Sequence, residues 1–174
     1  MTATLTPPTV DRHAREGRQW GVLLGLLAAS GLVAFLGGLA SVSGVDGWYA
    51  QADKPAWTPP NWVFGPVWTV LYVLMAVAAW LVWRRWGLSG PTGARVALSL
   101  YALQLVLNGL WTPAFFGAEL LELGAVIIIA LDVVLVLTVA EFWRRHRLAA
   151  VLLLPYLAWC LYATSLNIGI ALLN

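Results

Sequence analysis

Charge is what this chain has least of. It carries 10 Lys and Arg and 8 Asp and Glu in 174 residues, 10% in all, where a soluble domain runs at roughly 25%. So few charges cannot cover a water-exposed globule of this size. Cysteine is almost missing as well. Cys160 stands alone, which excludes an internal disulfide framework and any multi-cysteine zinc or iron–sulfur centre. Histidine occurs only at His13 and His146, too few and too far apart for a histidine metal motif. There is no G-x-S-x-G turn, no P-loop, and no histidine inside an apolar segment to pair with a serine or with Cys160. Cys160 itself lies in an apolar run and reads as a small buried hydrophobe, not a nucleophile. The 9 Pro and 16 Gly are ordinary numbers, which removes collagen-like and low-complexity classes, and a net charge of +2 makes no case for nucleic acid.

What is abundant is apolar surface. Hydrophobic residues make up 61% of the chain and 11 residues are Trp, which points to a small integral membrane protein. No Asp, Glu, Lys or Arg occurs from Gln19 to Val45, from Pro55 to Trp83, from Val96 to Ala118, or from Leu148 to Asn174. Each gap exceeds the roughly 20 apolar residues that cross a ~30 Å hydrocarbon core. A fifth run, Leu123 to Trp143, is broken only by Asp132 and Glu141. Barrel strands alternate apolar and polar residues, whereas Val22–Leu36 and Val126–Val136 are apolar on all sides. Backbone in lipid must satisfy itself, so these segments are helices. The expectation is an all-α bundle of five transmembrane helices at about 20–42, 62–84, 95–116, 120–143 and 148–171. Residues 1–18 are expected to be a flexible basic tail, with 19–174 one transmembrane domain. Ala40-Ser41-Val42 resembles a signal-cleavage site, but the apolar run before it far exceeds a ~7–15-residue signal core, so the first span is read as retained.

Basic residues orient the spans. Nine of the ten lie before span one or in the 2–3 and 4–5 connections, and only Lys54 lies on the other side. The positive-inside rule then places the N-terminus in the cytoplasm and the C-terminus outside. The rule does not name the membrane, and the expectation is a bacterial cell membrane.

Most Trp residues suit an interfacial belt: Trp20, Trp62, Trp83, Trp86 and Trp143 stand near expected helix ends. Trp68, Trp111 and Trp159 stand inside spans two, three and five, at depths that let them converge in the outer half. Gln104, Asn108, Trp111 and Phe115 share one helix face; Trp68, Tyr72 and Ala76 form a second stripe, and Tyr156, Trp159, Ala163 and Asn167 a third. Two readings of these stripes are open. Amides cross-bond helices without binding anything, and an interior of indoles, phenols and amides also suits a large, flat, mostly apolar ligand. Asp132 divides the same way, between a proton path or ligand contact and a structural hydrogen bond to a Trp or Tyr. Glu141 is expected to pair with Arg144 or Arg145. Gly21, Gly25 and Ala29 form a small-residue row suited to close helix approach. The connection 43–61 holds Trp48-Tyr49 and the run Lys54-Pro55-Ala56-Trp57-Thr58-Pro59-Pro60-Asn61-Trp62. Its prolines stiffen it and its aromatics favour order, so it reads as a lid.

Four ordered blocks carry a resemblance. Trp57-Thr58-Pro59-Pro60-Asn61-Trp62-Val63-Phe64-Gly65-Pro66-Val67-Trp68-Thr69-Val70-Leu71-Tyr72 is the first. Gln104–Gly117, with Asn108, Trp111 and Phe115, is the second. Asp132 in span four is the third. Pro155-Tyr156-Leu157-Ala158-Trp159, continuing to Ala163-Thr164-Ser165-Leu166-Asn167, is the fourth. Together they resemble the TspO/MBR family (tryptophan-rich sensory protein, translocator protein, peripheral-type benzodiazepine receptor) over about residues 20–170. The resemblance implies a five-helix bundle, often dimeric, that binds protoporphyrin IX, haem, benzodiazepine-type ligands and, in some members, sterols, with no obligatory cofactor. It implies ligand contacts at Trp68, Gln104, Asn108, Trp111, Phe115, Trp159 and Ala163, and lid contacts at Trp48, Tyr49, Trp57 and Pro59. Tyr72, from the span-two stripe, and Asp132, as an intramembrane carboxylate, are added as candidate contacts. Some members promote light-dependent protoporphyrin breakdown, for which Trp68 and Trp159 would be the reacting residues, and a porphyrin or sterol transporter is a further reading. Leu166-Asn167-Ile168-Gly169-Ile170 lacks the Tyr and the basic residue that sterol-responsive members carry there, which lowers the expectation of tight sterol binding.

Overall fold

The computed structural model describes residues 10–88 and 93–174. Six α-helices follow one another: α1 Val10–Asp46, the short α2 Trp48–Gln51, α3 Phe64–Trp86, α4 Arg95–Thr112, α5 Leu121–Arg145 and α6 Arg147–Leu173. A 3₁₀ turn, Asn61–Val63, leads into α3, and a π-helical turn, Pro113–Gly117, ends α4. Five helices are long and apolar enough to cross a bilayer. There is no strand among the described residues.

The helices form a ring in the order α1, α3, α6, α5, α4 and back to α1. Hydrocarbon provides no hydrophobic drive between helices, so close packing and hydrogen bonds must hold them. The inward faces show how. In α4, Ala97, Tyr101, Gln104, Asn108 and Trp111 are buried; in α5, Gly124, Ile128, Leu131, Leu135, Thr138 and Phe142; in α6, Ala149, Leu153, Tyr156, Cys160, Ala163, Asn167 and Ile170. These steps alternate between three and four residues, the spacing of left-handed bundle packing. α1 buries least. Its Leu24, Leu32, Phe35 and Leu39 are exposed on the outside of the bundle, while Ser30 is buried and shares a 3.0 Å hydrogen bond with the Tyr101 hydroxyl.

Several boundaries differ from the expected ones. Residues 1–9 of the expected tail lie outside the described residues, but residues 10–18 are the first turns of α1. After Pro8 no proline interrupts, and Arg, Ala, Glu and Gln are good helix formers, so the helix continues beyond the apolar run. α1 also runs to Asp46 and α2 takes Trp48–Gln51, which shortens the irregular connection. The Gly21/Gly25 row meets no other helix among the described residues, since a Cβ at either position would have open space around it. α1 and α4 approach elsewhere: a Cβ at Gly37 would sit 3.4 Å from Thr112, and one at Gly109 3.4 Å from Val33.

The connection from α1 to α3 is an ordered strap across one end of the bundle. Trp48 Nε1 donates to the Phe116 carbonyl at 3.0 Å, and the Tyr162 hydroxyl donates to the Trp57 carbonyl at 2.6 Å. Asp53 N donates to Asn174 Oδ1 at 3.0 Å, and Asn174 Nδ2 returns a bond to the Asp53 carbonyl at 3.0 Å. Two glycines make room for it. A Cβ at Gly44 would run into the Phe116 carbonyl, and one at Gly169 would lie 2.5 Å from Pro55 Cγ. Gly169→Ala should therefore lift Pro55 from α6 without breaking the helix. Hydrogen exchange at the Asp53 and Thr58 amides should speed up at least tenfold while α5 amides are unchanged. Equal exchange in both proteins would mean that the strap does not depend on this contact.

Candidate ligand-binding site

α4 places the site. Its Pro113 has no amide hydrogen, so the helical ladder cannot continue unaltered, and the chain widens into the π turn, where Ala118 N donates to the Pro113 carbonyl at 2.9 Å. The wide turn brings Phe115 and Phe116 inward together, at 2% and 7% exposure. Trp111 stacks on Phe115 with centroids 5.6 Å apart and planes 16° apart, and Phe116 meets Phe115 edge-on at 4.8 Å.

Between this aromatic group, α1 and α3 lies a cavity of about 270 Å³. α3 lines it with Phe64, Trp68, Thr69 and Tyr72, and the α4 side with Trp111, Thr112 and Phe116. α1 contributes mainly small residues, Ala34, Gly37, Gly38 and Ser41, which leave the space open, with Val45 at its end. Gly65 and Thr69 line the cavity and are themselves exposed, so it opens sideways between α1 and α3.

Tyr49 closes the strap side. Its ring is buried and meets Phe116 at 5.3 Å and Phe115 at 6.4 Å, with the Lys54 ammonium 5.0 Å above it. Burial first, and then the nearby Tyr162 phenol, push the Tyr49 hydroxyl above the ordinary tyrosine range, so the ring is neutral in its socket. Beneath it, between Phe115, Ala163 and Asn167, about 10 Å³ is left, which is room for no more than about one water.

The polar residues of the stripes are mostly paired with one another. The Tyr72 hydroxyl donates to Asn108 Oδ1 at 2.5 Å, and Asn108 Nδ2 donates to the Tyr156 hydroxyl at 2.9 Å, joining α3, α4 and α6. Trp111 Nε1 donates to Asn167 Oδ1 at 3.0 Å, and Asn167 Nδ2 donates to the Leu121 carbonyl at 2.9 Å. Of the two readings of the stripes, cross-bonding describes Asn108 and Asn167. Gln104 is fully buried, and its Nε2 reaches Met75 Sδ at 3.8 Å. Gln104 Oε1 and Trp159 Nε1 are buried with no hydrogen-bond partner among the described residues.

Of the residues singled out in the sequence, Tyr49, Trp68, Tyr72 and Trp111 meet at the cavity. Phe115 and Ala163 lie next to it under Tyr49. Trp159 is one shell away, edge-on to Trp68 at 6.5 Å and to Phe64 at 5.9 Å. Trp48 is held by the Phe116 carbonyl, and Trp57 and Pro59 belong to the strap and do not line the cavity. Asp132 faces α6 and not the cavity. Its Oδ2 accepts from Thr164 Oγ1 at 2.7 Å, an interhelical bond of the structural kind, with a threonine in place of the Trp or Tyr suggested for that reading, because α6 presents Thr164 at that level. The sequence reading missed the α1 wall. Its signal was there, in the small residues at 34, 37, 38 and 41 on one helical face.

The family model of the TspO/MBR family matches residues 25–173. The chain is 42% identical to the tryptophan-rich protein TspO of Archaeoglobus fulgidus over 82% of this chain and 90% of that protein. It is 38% identical to the tryptophan-rich sensory protein of Cereibacter sphaeroides, over 89% of this chain and 92% of that one. Identity to the human translocator protein is 38%, over 85% and 87%. With five spanning helices, an aromatic interior and a match along nearly its whole length, the chain is an integral membrane protein that belongs to the TspO/MBR family.

Proposed function

We propose that the protein is a membrane receptor or sensor for flat, mostly apolar ligands of the tetrapyrrole class, such as protoporphyrin IX or haem, and for benzodiazepine-type molecules of similar shape. The observation that carries this reading is the cavity between α1, α3 and α4, walled on two sides by Trp68, Tyr72, Trp111 and Phe116 and on the third by small residues. Indole and phenol faces supply stacking area, and the glycine-rich wall admits a thin ligand edge. At about 270 Å³ the space is just under the roughly 300–1,000 Å³ of small-molecule sites. A macrocycle therefore requires Tyr49 to withdraw, which joins the cavity to the space over Phe115 and Ala163. Gln104 Oε1 and Trp159 Nε1 are two of the buried polar atoms without a partner among the described residues, and both are offered to a ligand in this reading. Titration with protoporphyrin IX should quench Trp fluorescence, and a Trp68→Ala/Trp159→Ala double variant should bind at least tenfold more weakly, a loss of about 1.4 kcal/mol. Unchanged affinity would remove this pocket.

One contact favours a second reading, the light-dependent breakdown of bound porphyrin. Trp68 borders the cavity and touches Trp159, which lies 5.5 Å from Tyr162, so oxidisable rings lead away from the ligand space. Illumination of the complex in air should yield a new absorbing product that disappears in the same double variant. Bleaching at the protein-free rate would leave binding alone.

We further propose that the end bearing the arginines faces the cytoplasm of a bacterial cell, with the C-terminus outside. Arg18, Arg84, Arg85, Arg95, Arg144, Arg145 and Arg147 lie at one end of the ring and Lys54 at the other. In a Cys160→Ala background, an impermeant maleimide should label Glu119→Cys in intact cells and Arg95→Cys only after lysis. The reverse pattern would invert the topology.

A further inference from the structure

The other large concave feature lies at the arginine end, far from the strap. Arg85 at the end of α3, with Arg144, Arg145, His146 and Arg147 where α5 meets α6, lines a cleft of about 440 Å³ walled by Trp143. An adjoining cleft of about 300 Å³ runs past Glu141 and Trp86.

The cations here outnumber their partners. Glu141 takes Arg144 at 3.3 Å and also Arg145. Arg85 and Arg147 have no carboxylate partner among the described residues. Each lies over an indole instead, Arg85 at 6.0 Å from Trp86 and Arg147 at 5.8 Å from Trp143. Their forked donors remain available, and a guanidinium matches two phosphate oxygens at once.

The corner is also rigid. α5 ends at Arg145 and α6 begins at Arg147, so one residue makes the turn. His146 Nδ1 accepts from Ala149 N at 3.3 Å, and Trp86 Nε1 donates to the Arg145 carbonyl at 3.1 Å, fastening α3 to the turn. The arginines are thus held near one another despite their repulsion.

Position names the occupant. Trp143 is half-exposed at 48%, the situation of an indole at headgroup depth. Leu148, at the edge of the cleft, starts an exposed ridge that continues with Val151 and Leu154 along α6 into the apolar zone. A free anion has no use for that ridge, whereas an acyl chain does. We propose that this corner binds an anionic phospholipid, its phosphate held by Arg85 and Arg147 and an acyl chain lying along Leu148, Val151 and Leu154.

The test uses the full chain in detergent, titrated with dioleoyl phosphatidylglycerol or dioleoyl phosphatidylcholine and read by native mass spectrometry. Phosphatidylglycerol should bind at least tenfold more tightly than phosphatidylcholine. Arg85→Gln/Arg147→Gln should lower phosphatidylglycerol affinity about tenfold with phosphatidylcholine unchanged, and Arg147→Gln alone about threefold. Arg95→Gln, at the same end but outside the cleft, should change it less than twofold. Equal binding of the two lipids, or an equal loss in Arg95→Gln, would overturn the site in favour of diffuse attraction. Displacement of phosphatidylglycerol by millimolar inorganic phosphate would overturn the lipid assignment and make the ligand a free anion.

Discussion

Hydrocarbon offers no hydrogen-bond partner, and everything polar inside this bundle must answer to that. An unpaired amide in such a medium costs several kcal/mol, while an interhelical hydrogen bond in a membrane returns only about 0.6 kcal/mol on average. The bonds around Asn108 and Asn167 therefore do little for stability by themselves. What they enforce is register. If α4 slid by one turn, Asn108 would leave both Tyr72 and Tyr156, and Trp111 would leave Asn167. One aromatic side of the cavity, Trp111 and Phe116, is carried on α4 and its terminal turn, and Tyr72 of the other side is bonded to Asn108, so the geometry of the site follows from the pairing of these amides.

The same constraint divides the two ends of the molecule. At the strap end, aromatic rings fill the opening and hydrogen bonds run mainly from side chains to loop carbonyls, with Trp48 and Tyr162 as donors. At the other end guanidiniums gather, and indoles act as their platforms rather than as core. A single residue type, tryptophan, thus has three uses. Trp143 marks an interface, Trp48 ties down the strap, and Trp68 and Trp111 line a cavity. Asp132 belongs to neither end. Bonded to Thr164, with its Oδ1 unpaired, it sits in the α5–α6 seam, away from the aromatic space.

How much of this was legible beforehand varied with the range of the interaction. Helix identity follows from long uncharged runs, and the inward face of α4 follows from the spacing of Gln104, Asn108, Trp111 and Phe115, both of which are local. The pairing of Glu141 with Arg144 and Arg145 was equally local, being one helical turn away. The start of α1 was misplaced because hydropathy marks where lipid ends and not where a helix ends. The α1 wall was missed because small residues announce nothing until a neighbouring helix fails to fill the space they leave. Trp159 looked equivalent to Trp68 along its own helix, yet a Phe64 and a Trp68 stand between it and the cavity.

The sequence by itself determined the medium, the number of spans, the end at which charge collects and the faces that turn inward, because each depends on composition or on periodicity along one helix. Only the tertiary structure decided which inward residues border open space, that Tyr49 fills the mouth, that Thr164 is the partner of Asp132, and that Arg85 joins the α5–α6 corner. Those outcomes depend on which helices are neighbours in the ring, and on a strap that folds back over residues more than a hundred positions away. Contacts of that range leave no periodic trace in a single chain.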